Sequence, residues 1–217
     1  MKMVSLQDCS KQDFSQFSSM PLDALLEATA SKDPVPGGGG IAAMTAASAA
    51  ALVEMVANLT YGKKGYEEVA DRMKSIQEQA RALRKQYLAG IAEDAAAFDG
   101  VIRAVRLPKD TEHRETIVQQ AFKQAAAIPF SLGKDIFVLL QLAEQVVQYG
   151  NAWVITDGAI AAMNARSAMR SAFYSVRVNL QFIKDELYVQ QMTEEMQRIE
   201  GEAALLEQRV EREYETR

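Results

Sequence analysis

Apolar residues recur every three or four positions along most of the chain, which is the period of helices that bury one face. No stretch of useful length alternates apolar and polar residues as a strand does. The pattern therefore predicts an all-α fold, a bundle of long helices that forms one domain over residues 1–217. Residues 1–20 are expected to be an N-terminal extension, and residues 185–217 a C-terminal amphipathic helix.

The first half of the chain predicts three helices. A short helix follows Pro21, which suits a first helical position. A second helix runs from about residue 41 to 61, and alanines occupy most positions between its larger apolar residues. Small side chains allow close approach of neighbouring helices, so this helix is expected to be central. A third helical pattern extends from about residue 66 to 106, with Gly90 and Gly100 as possible soft points.

The second half continues the helical pattern, with one interruption at Ile128-Pro129. Proline lacks a backbone N–H, so a kinked or broken helix is expected near Pro129. A further helix or helix pair is predicted over residues 153–183. In the tail, apolar residues are spaced alternately by four and three, which predicts a helix that packs on a helical partner. These residues are Met192, Met196, Ile199, Ala203, Leu206 and Val210.

Composition narrows the functions that this bundle can have. A net charge of −5 argues against nucleic-acid binding through a globally basic surface. With Cys9 as the only cysteine and His113 as the only histidine, one chain can form neither an internal disulfide nor a His/Cys metal site. The first twenty residues lack the apolar core of a signal peptide, which favours a cytoplasmic protein. The most apolar stretch, residues 41–59, contains Glu54 and other polar residues, so no membrane span is expected.

The run from Pro34 to Gly40 opens directly into the second predicted helix. Successive glycines can direct several backbone N–H groups at one point, and the N-terminus of a helix favours an anion. The same run is also explained by a flexible turn that lets an alanine-rich helix pack tightly. Lys63 and Lys64, beyond the far end of this helix, could simply neutralise its C-terminus.

Asp94 interrupts an otherwise apolar stripe on the third predicted helix. Burial there would raise the pKa of the carboxyl group toward the range that is useful for acid/base catalysis. Alternatively, Asp94 pairs with a Lys or Arg from a neighbouring helix or lies in water at the edge of the stripe. The stripe comprises Leu83, Tyr87, Ile91, Asp94, Phe98, Val101 and Val105.

Two further polar groups have ordinary structural explanations. Thr156 and Asp157 could cap the N-terminus of a helix. Asn179 belongs to a polar seam along the following helix, and such a seam can connect packed helices through hydrogen bonds. Its other members are Asn164, Ser167, Ser171 and Ser175.

In order along the chain, several segments together resemble the cyclodeaminase/cyclohydrolase family of tetrahydrofolate enzymes. They are Pro34-Val35-Pro36-Gly37-Gly38-Gly39, Leu59-Thr60-Tyr61-Gly62-Lys63-Lys64, Asp94-Ala95-Ala96-Ala97-Phe98, Arg106-Leu107-Pro108-Lys109, Gly150-Asn151, Thr156-Asp157 and Val176-Arg177-Val178-Asn179-Leu180. The resemblance implies an all-helical homodimer with a folate cleft between long helices. It also implies an enzyme that forms 5,10-methenyltetrahydrofolate from 5-formimidoyltetrahydrofolate with release of ammonia, or hydrolyses the methenyl compound to 10-formyltetrahydrofolate.

The resemblance also assigns roles to residues. Asp94 matches the family's proposed catalytic aspartate, acting as acid/base without a metal or a tightly bound cofactor. Substrate-binding positions are matched by Pro36, Gly37, Gly38, Gly39, Lys63, Lys64, Thr156, Asp157 and Asn179. Gly40 stands where the family commonly has Ser, and Ser175 and Arg177 depart from the family's run, so Arg177 is expected to place a charge near the cleft. These departures support the alternative, a non-catalytic helical dimer or interaction protein with a degenerate folate cleft and a tail that binds a partner.

Overall fold

The computed structural model describes residues 12–217, and within this range it contains six α-helices and no strand. The predicted all-α bundle is confirmed. Short 3-10 turns lie at Ser15–Ser18, Glu67–Val69 and Ala152–Val154. The helices are α1 (Leu22–Thr29), α2 (Gly38–Thr60), α3 (Ala70–Val105), α4 (Arg114–Tyr149), α5 (Ile155–Leu180) and α6 (Glu186–Thr216).

Helix α2 lies at the centre of the bundle, as its composition predicts, and packs against α3, α4 and α5. Its alanines are buried on several faces, which leaves room for three neighbouring helices. Helix α5 runs antiparallel to α2. At one end, the backbone N–H of Asn151, just before α5, donates to Oγ1 of Thr60 at the end of α2, at 2.9 Å. The start of α2 therefore faces the end of α5.

A buried ion pair links α2 to α3. Glu54 is only 7% exposed, and it accepts hydrogen bonds from Arg81 and Arg84, each at 2.8 Å. Burial raises the pKa of Glu54, but the two guanidinium groups outweigh this effect and hold the pKa below its ordinary value. The charge in the most apolar helix is thus satisfied inside the protein.

Helices α2 and α4 are long and apolar enough to cross a membrane by length and composition alone. In the most apolar segment of α2, 61% is buried inside the bundle, and in the most apolar segment of α4, 44% is buried. Core helices of folded domains share these properties.

The structure changes two of the predicted boundaries. Helix α2 begins at Gly38, three residues before the predicted start, so the glycines form its first turn. The N–H of Ile41 donates to the Gly37 carbonyl at 3.0 Å and closes that turn. In α3, the predicted soft points at Gly90 and Gly100 do not interrupt the helix. Packing on neighbouring helices outweighs the weak helix propensity of glycine at these positions.

The predicted break at Pro129 does not occur, because residues 114–149 form one helix that contains the proline. A proline cannot donate to the carbonyl four residues earlier, which here belongs to Ala125. The Nδ2 group of Asn179, on α5, donates to this carbonyl at 3.1 Å. A side chain from the neighbouring helix therefore replaces the hydrogen bond that Pro129 removes.

Both ends of the chain pack onto the bundle. All six apolar residues of the predicted tail stripe are buried, and α6 packs on α4 and α5 of the same chain. The predicted helical partner of the tail is therefore internal, and its stripe is not free for another protein. Of the predicted N-terminal extension, residues 1–11, including Cys9, lie outside the described residues. Phe14 and Phe17 are buried in a cluster with Ile91 and Ala95 of α3.

Candidate active site

A cavity of about 450 Å³ lies where the start of α2 meets the end of α5, between α3 and α4. It has the size of a small-molecule site. Five of the predicted site residues line it, namely Gly37, Gly38, Gly39, Asp94 and Asn179. We call it the α2–α5 cleft. Pro36 is buried behind it, near Gly40.

Asp94 and Gly39 are brought into close contact by the crossing of α3 and α2. A Cβ atom at Gly39 would overlap the carboxylate of Asp94, so any larger residue at this position requires that side chain or the backbone to shift. At Gly40, a Cβ would lie 3.3 Å from Cγ2 of Ile91, one turn before Asp94. The glycine run therefore allows tight packing, as one of its two explanations requires, and it also leaves space for the carboxylate of Asp94.

The environment of Asp94 disfavours the charged form of its carboxyl group. Burial raises its pKa, and the backbone N–H of Gly40, directed at the carboxylate, offsets this effect only in part. Within residues 12–217, Asp94 forms no ion pair, so the pairing alternative is wrong. The N–H of Gly40, in the first turn of α2, is one of the donors that lack a partner within the helix, and it faces a carboxylate of the protein itself.

Asn179 lies at the rim of the cleft, and its amide group has a structural task. Its Nδ2 donates to the carbonyl oxygens of Ala125, at 3.1 Å, and of Ser175, at 2.9 Å. The predicted bridging role of the polar seam is confirmed at this residue. Arg177 does not line the cleft itself, but its guanidinium lies 5.6 Å from the ring centroid of Tyr174, which does. The expected charge is therefore near the cleft, where it pairs with Glu200 of α6.

We expect Asn179→Ala to reduce the free energy of unfolding by about 1–3 kcal/mol, because it leaves the Ala125 carbonyl without a partner. In a Pro129→Ala background, the backbone N–H of residue 129 can donate to that carbonyl, so the same substitution should cost less. A double-mutant cycle in urea measures this coupling. Equal costs in both backgrounds would contradict the proposed replacement of the hydrogen bond.

Four of the predicted site residues lie at the opposite end of the bundle. Lys63 and Lys64 follow α2, whose 23 residues span about 33 Å. Both lysines are exposed, and neither lines the cleft. Thr156 and Asp157 lie in the first turn of α5, next to the same end of α2, and no side-chain cap forms there. Instead, Asn151 caps the preceding turn by accepting from the Trp153 N–H at 3.2 Å. Within a single chain, the predicted residues thus form two separate groups.

An aromatic wall of the cleft was not predicted from the sequence. The rings of Phe122 and Phe182 stack with centroids 4.9 Å apart, and Phe98 and Tyr174 line the same cavity. Phe98, Tyr174 and Phe182 are each more than a third exposed. Such faces suit a flat heteroaromatic ring. Because these four residues lie on three helices and a turn, no pattern in the sequence indicates that they share a cavity.

Within residues 12–217, no three His, Cys, Asp or Glu side chains lie close enough to hold a metal ion. Asp94 supplies the carboxyl group among the residues that line the α2–α5 cleft.

Comparison with known proteins identifies relatives of the whole chain. A family model described as Formiminotransferase-cyclodeaminase matches residues 21–198. The chain is 38% identical over 199 residues to methenyltetrahydrofolate cyclohydrolase of Methylorubrum extorquens, covering 90% of this chain and 94% of that protein. It is 29% identical over 199 residues to formimidoyltransferase-cyclodeaminase of Sus scrofa, covering 88% of this chain but 37% of the pig protein.

A solved structure shares the fold. The crystal structure of formiminotetrahydrofolate cyclodeaminase from Thermotoga maritima superimposes with a TM-score of 0.85 and 30% sequence identity. The match covers 91% of this chain and 96% of that chain. The six-helix arrangement around α2 therefore extends to a solved relative over nearly its full length.

Proposed function

Because this chain belongs to the formiminotransferase-cyclodeaminase family, we propose that it is an enzyme acting on the one-carbon unit between N5 and N10 of tetrahydrofolate. The observation that carries this proposal is the carboxyl group of Asp94. It lies partly buried against the first turn of α2, without an ion pair among the described residues, in a cleft with aromatic walls. A carboxyl group in this environment can accept and return a proton near neutral pH.

In the hydrolase reaction, water adds to the methenyl carbon. As the C–O bond forms, Asp94 accepts a proton from the water. The bond between this carbon and N5 then breaks, and the proton held by Asp94 passes to N5. The second proton of the water is released to solvent as the formyl C=O forms, and 10-formyltetrahydrofolate leaves. The relative that matches this chain over 94% of its own length is named for this reaction.

In the deaminase reaction, N10 attacks the formimidoyl carbon on N5, and the proton that N10 loses passes to the imino nitrogen. The bond between this carbon and the imino nitrogen then breaks, and Asp94 supplies the proton with which ammonia departs. The solved relative from Thermotoga maritima is named for this reaction. Both reactions pass through a tetrahedral carbon between the same two nitrogens, so the same carboxyl group can serve either.

The test is to incubate the purified protein separately with 5,10-methenyltetrahydrofolate and with 5-formimidoyltetrahydrofolate, and to follow the methenyl absorbance. A hydrolase accelerates the loss of absorbance from the first compound, and a deaminase produces absorbance from the second. If neither compound turns over and calorimetry detects no folate binding, the enzyme proposal is wrong, and the non-catalytic alternative is correct.

We further propose that the protein acts as a homodimer. Helix α5 exposes a stripe of apolar and small residues at successive spacings of four, three, four, seven and four, close to the repeat of a packed helix face, with Arg170 exposed in the seven-residue gap. Its apolar members are 41–61% exposed, although they lie on an otherwise well-packed helix. The stripe consists of Thr156, Ile160, Met163, Ser167, Tyr174 and Val178.

A dimer would also explain why the predicted residues are divided between two ends. A two-fold axis across the middle of α5 pairs the start of this helix with the end of its copy. Lys63 and Lys64 of one protomer then approach the α2–α5 cleft of the other, where cationic side chains can bind the glutamate tail of the folate. One site would thus draw on both chains.

Mixing two inactive variants tests this arrangement. Asp94→Asn removes the carboxylate, and Lys63→Glu/Lys64→Glu removes the cations. In a mixed dimer, one site carries both defects and the other carries none. After mixing and re-equilibration, we expect about a quarter of wild-type turnover, since half of the dimers are mixed and each has one intact site. No recovery, or a monomer by light scattering, would contradict the dimer proposal.

A further inference from the structure

A second cavity lies on another side of Asp94, in the groove between α3 and α4. Its volume is about 280 Å³, smaller than that of the α2–α5 cleft, and Asp94 lines both. We call it the α3–α4 cavity. Its polar lining residues are Gln86, Tyr87, Glu93, Asp94, Ser131 and Asp135.

The hydroxyl group of Tyr87 is the least expected feature of this cavity. Tyr87 is 1% exposed, and its hydroxyl has no hydrogen-bond partner among residues 12–217. Buried polar groups are nearly always hydrogen-bonded, and an unpaired hydroxyl is costly. A tyrosine that lines a cavity with an unpaired hydroxyl therefore indicates a small polar molecule that accepts or donates a hydrogen bond there.

The neighbouring groups favour the same kind of occupant. Oδ2 of Asp135 accepts from Nε2 of Gln86 at 2.7 Å, which leaves further acceptor capacity on the carboxylate. Burial raises the pKa of Asp135, and burial together with the Asp135 charge raises the pKa of Tyr87. Both groups are therefore suited to hydrogen bonding with neutral molecules.

The position along α3 connects these groups to the reaction. Tyr87 and Asp94 are seven residues apart, which is two helical turns and separates their backbones by about 10 Å along the axis of α3. Gly90 lies between them and contributes no side chain to the cavity wall. A row of two or three small molecules can therefore span the distance from Tyr87 to the Asp94 carboxylate.

We propose that the α3–α4 cavity is the route of the small co-reactant, separate from the cleft that binds the folate. It would supply the water that is consumed in hydrolysis or accept the ammonia that is released in deamination. Tyr87 and Asp135 are positioning residues, because they orient this molecule and do not contact the folate. This inference rests on the proposed function and extends it to a second opening of the same site.

Two substitutions test the route by different means. Tyr87→Phe removes only the hydroxyl group, and we expect kcat to fall about tenfold, as for a lost hydrogen bond in the reaction path, with KM for the folate unchanged. Ser131→Trp places a bulky ring at the exposed mouth of the cavity, and it should likewise lower kcat without changing KM for the folate. Tyr149→Phe and the exposed Ser75→Trp are the matched controls, since neither residue lines this cavity or the cleft.

The outcomes separate the two proposals. If the wild type turns over folate and both test variants keep its kcat, the route is wrong while the proposed function stands. A high-resolution crystal structure of the wild type gives a readout independent of turnover. We expect a solvent molecule within hydrogen-bond distance of the Tyr87 hydroxyl, and an empty cavity would overturn the inference even if the protein proved inactive toward both folates.

Discussion

Asp94→Asn is expected to reduce turnover of the folate substrate by about 10²–10⁴-fold, which is the usual contribution of a positioned acid or base. The amide keeps the size of the side chain but cannot exchange a proton. Folate binding should change much less than kcat, because the aromatic wall and the glycine turn remain. Glu78→Gln, an exposed carboxylate on the same helix, is the control and should leave turnover unchanged. Similar rates for both variants would exclude Asp94 from the chemistry.

The same substitution should stabilise the protein at neutral pH. Because burial raises the pKa of Asp94 in the folded state, the folded protein binds more protons than the unfolded chain above pH 3.8. Its unfolding free energy therefore decreases as the pH rises from 3.8 through the raised pKa. Asn removes this cost, and each kcal/mol gained should raise Tm by about 2–4 °C at pH 7. Below pH 3.8, the difference between the two proteins should vanish.

Gly39→Ala is expected to abolish most activity by displacing the carboxylate of Asp94. The added Cβ would overlap that group, so either the side chain or the crossing of α2 and α3 must shift. A displacement of about 1 Å at a reacting group can cost about 100-fold in rate. Overpacking should also destabilise the fold by about 1–3 kcal/mol. Turnover assays and urea unfolding measure the two effects.

Two further variants isolate the cause of this loss. Gly201→Ala, on α6, adds a Cβ with no atom within 4 Å and should stabilise the helix by about 0.5–1 kcal/mol without affecting turnover. In an Asp94→Ala background the carboxylate is gone, so Gly39→Ala should no longer destabilise the protein. A penalty that persists there would show that the overlap with Asp94 is not its cause.

Hydrophobic periodicity was sufficient to predict the helices, because each helix buries a face whose spacing repeats along the chain. The α6 stripe shows this best, as all six of its predicted residues are buried. Periodicity was less informative at Pro129 and at the start of α2. At both places a residue with poor helix propensity is supported by a distant residue, Asn179 in one case and Asp94 in the other. A local sequence pattern does not predict contacts between residues that are distant along the chain.

The candidate site, like the fold, was predicted from the sequence only in part. From the chain alone, Asp94 stands out as a carboxylate within an apolar stripe, and the glycine run stands out by its composition. Only the folded structure shows that these two features meet, that aromatic rings from three helices and a turn close the cleft, and that Lys63 and Lys64 lie at the other end of the protomer. The reason is physical: burial follows from a repeat within one helix, whereas a site depends on the angles and order in which several helices cross.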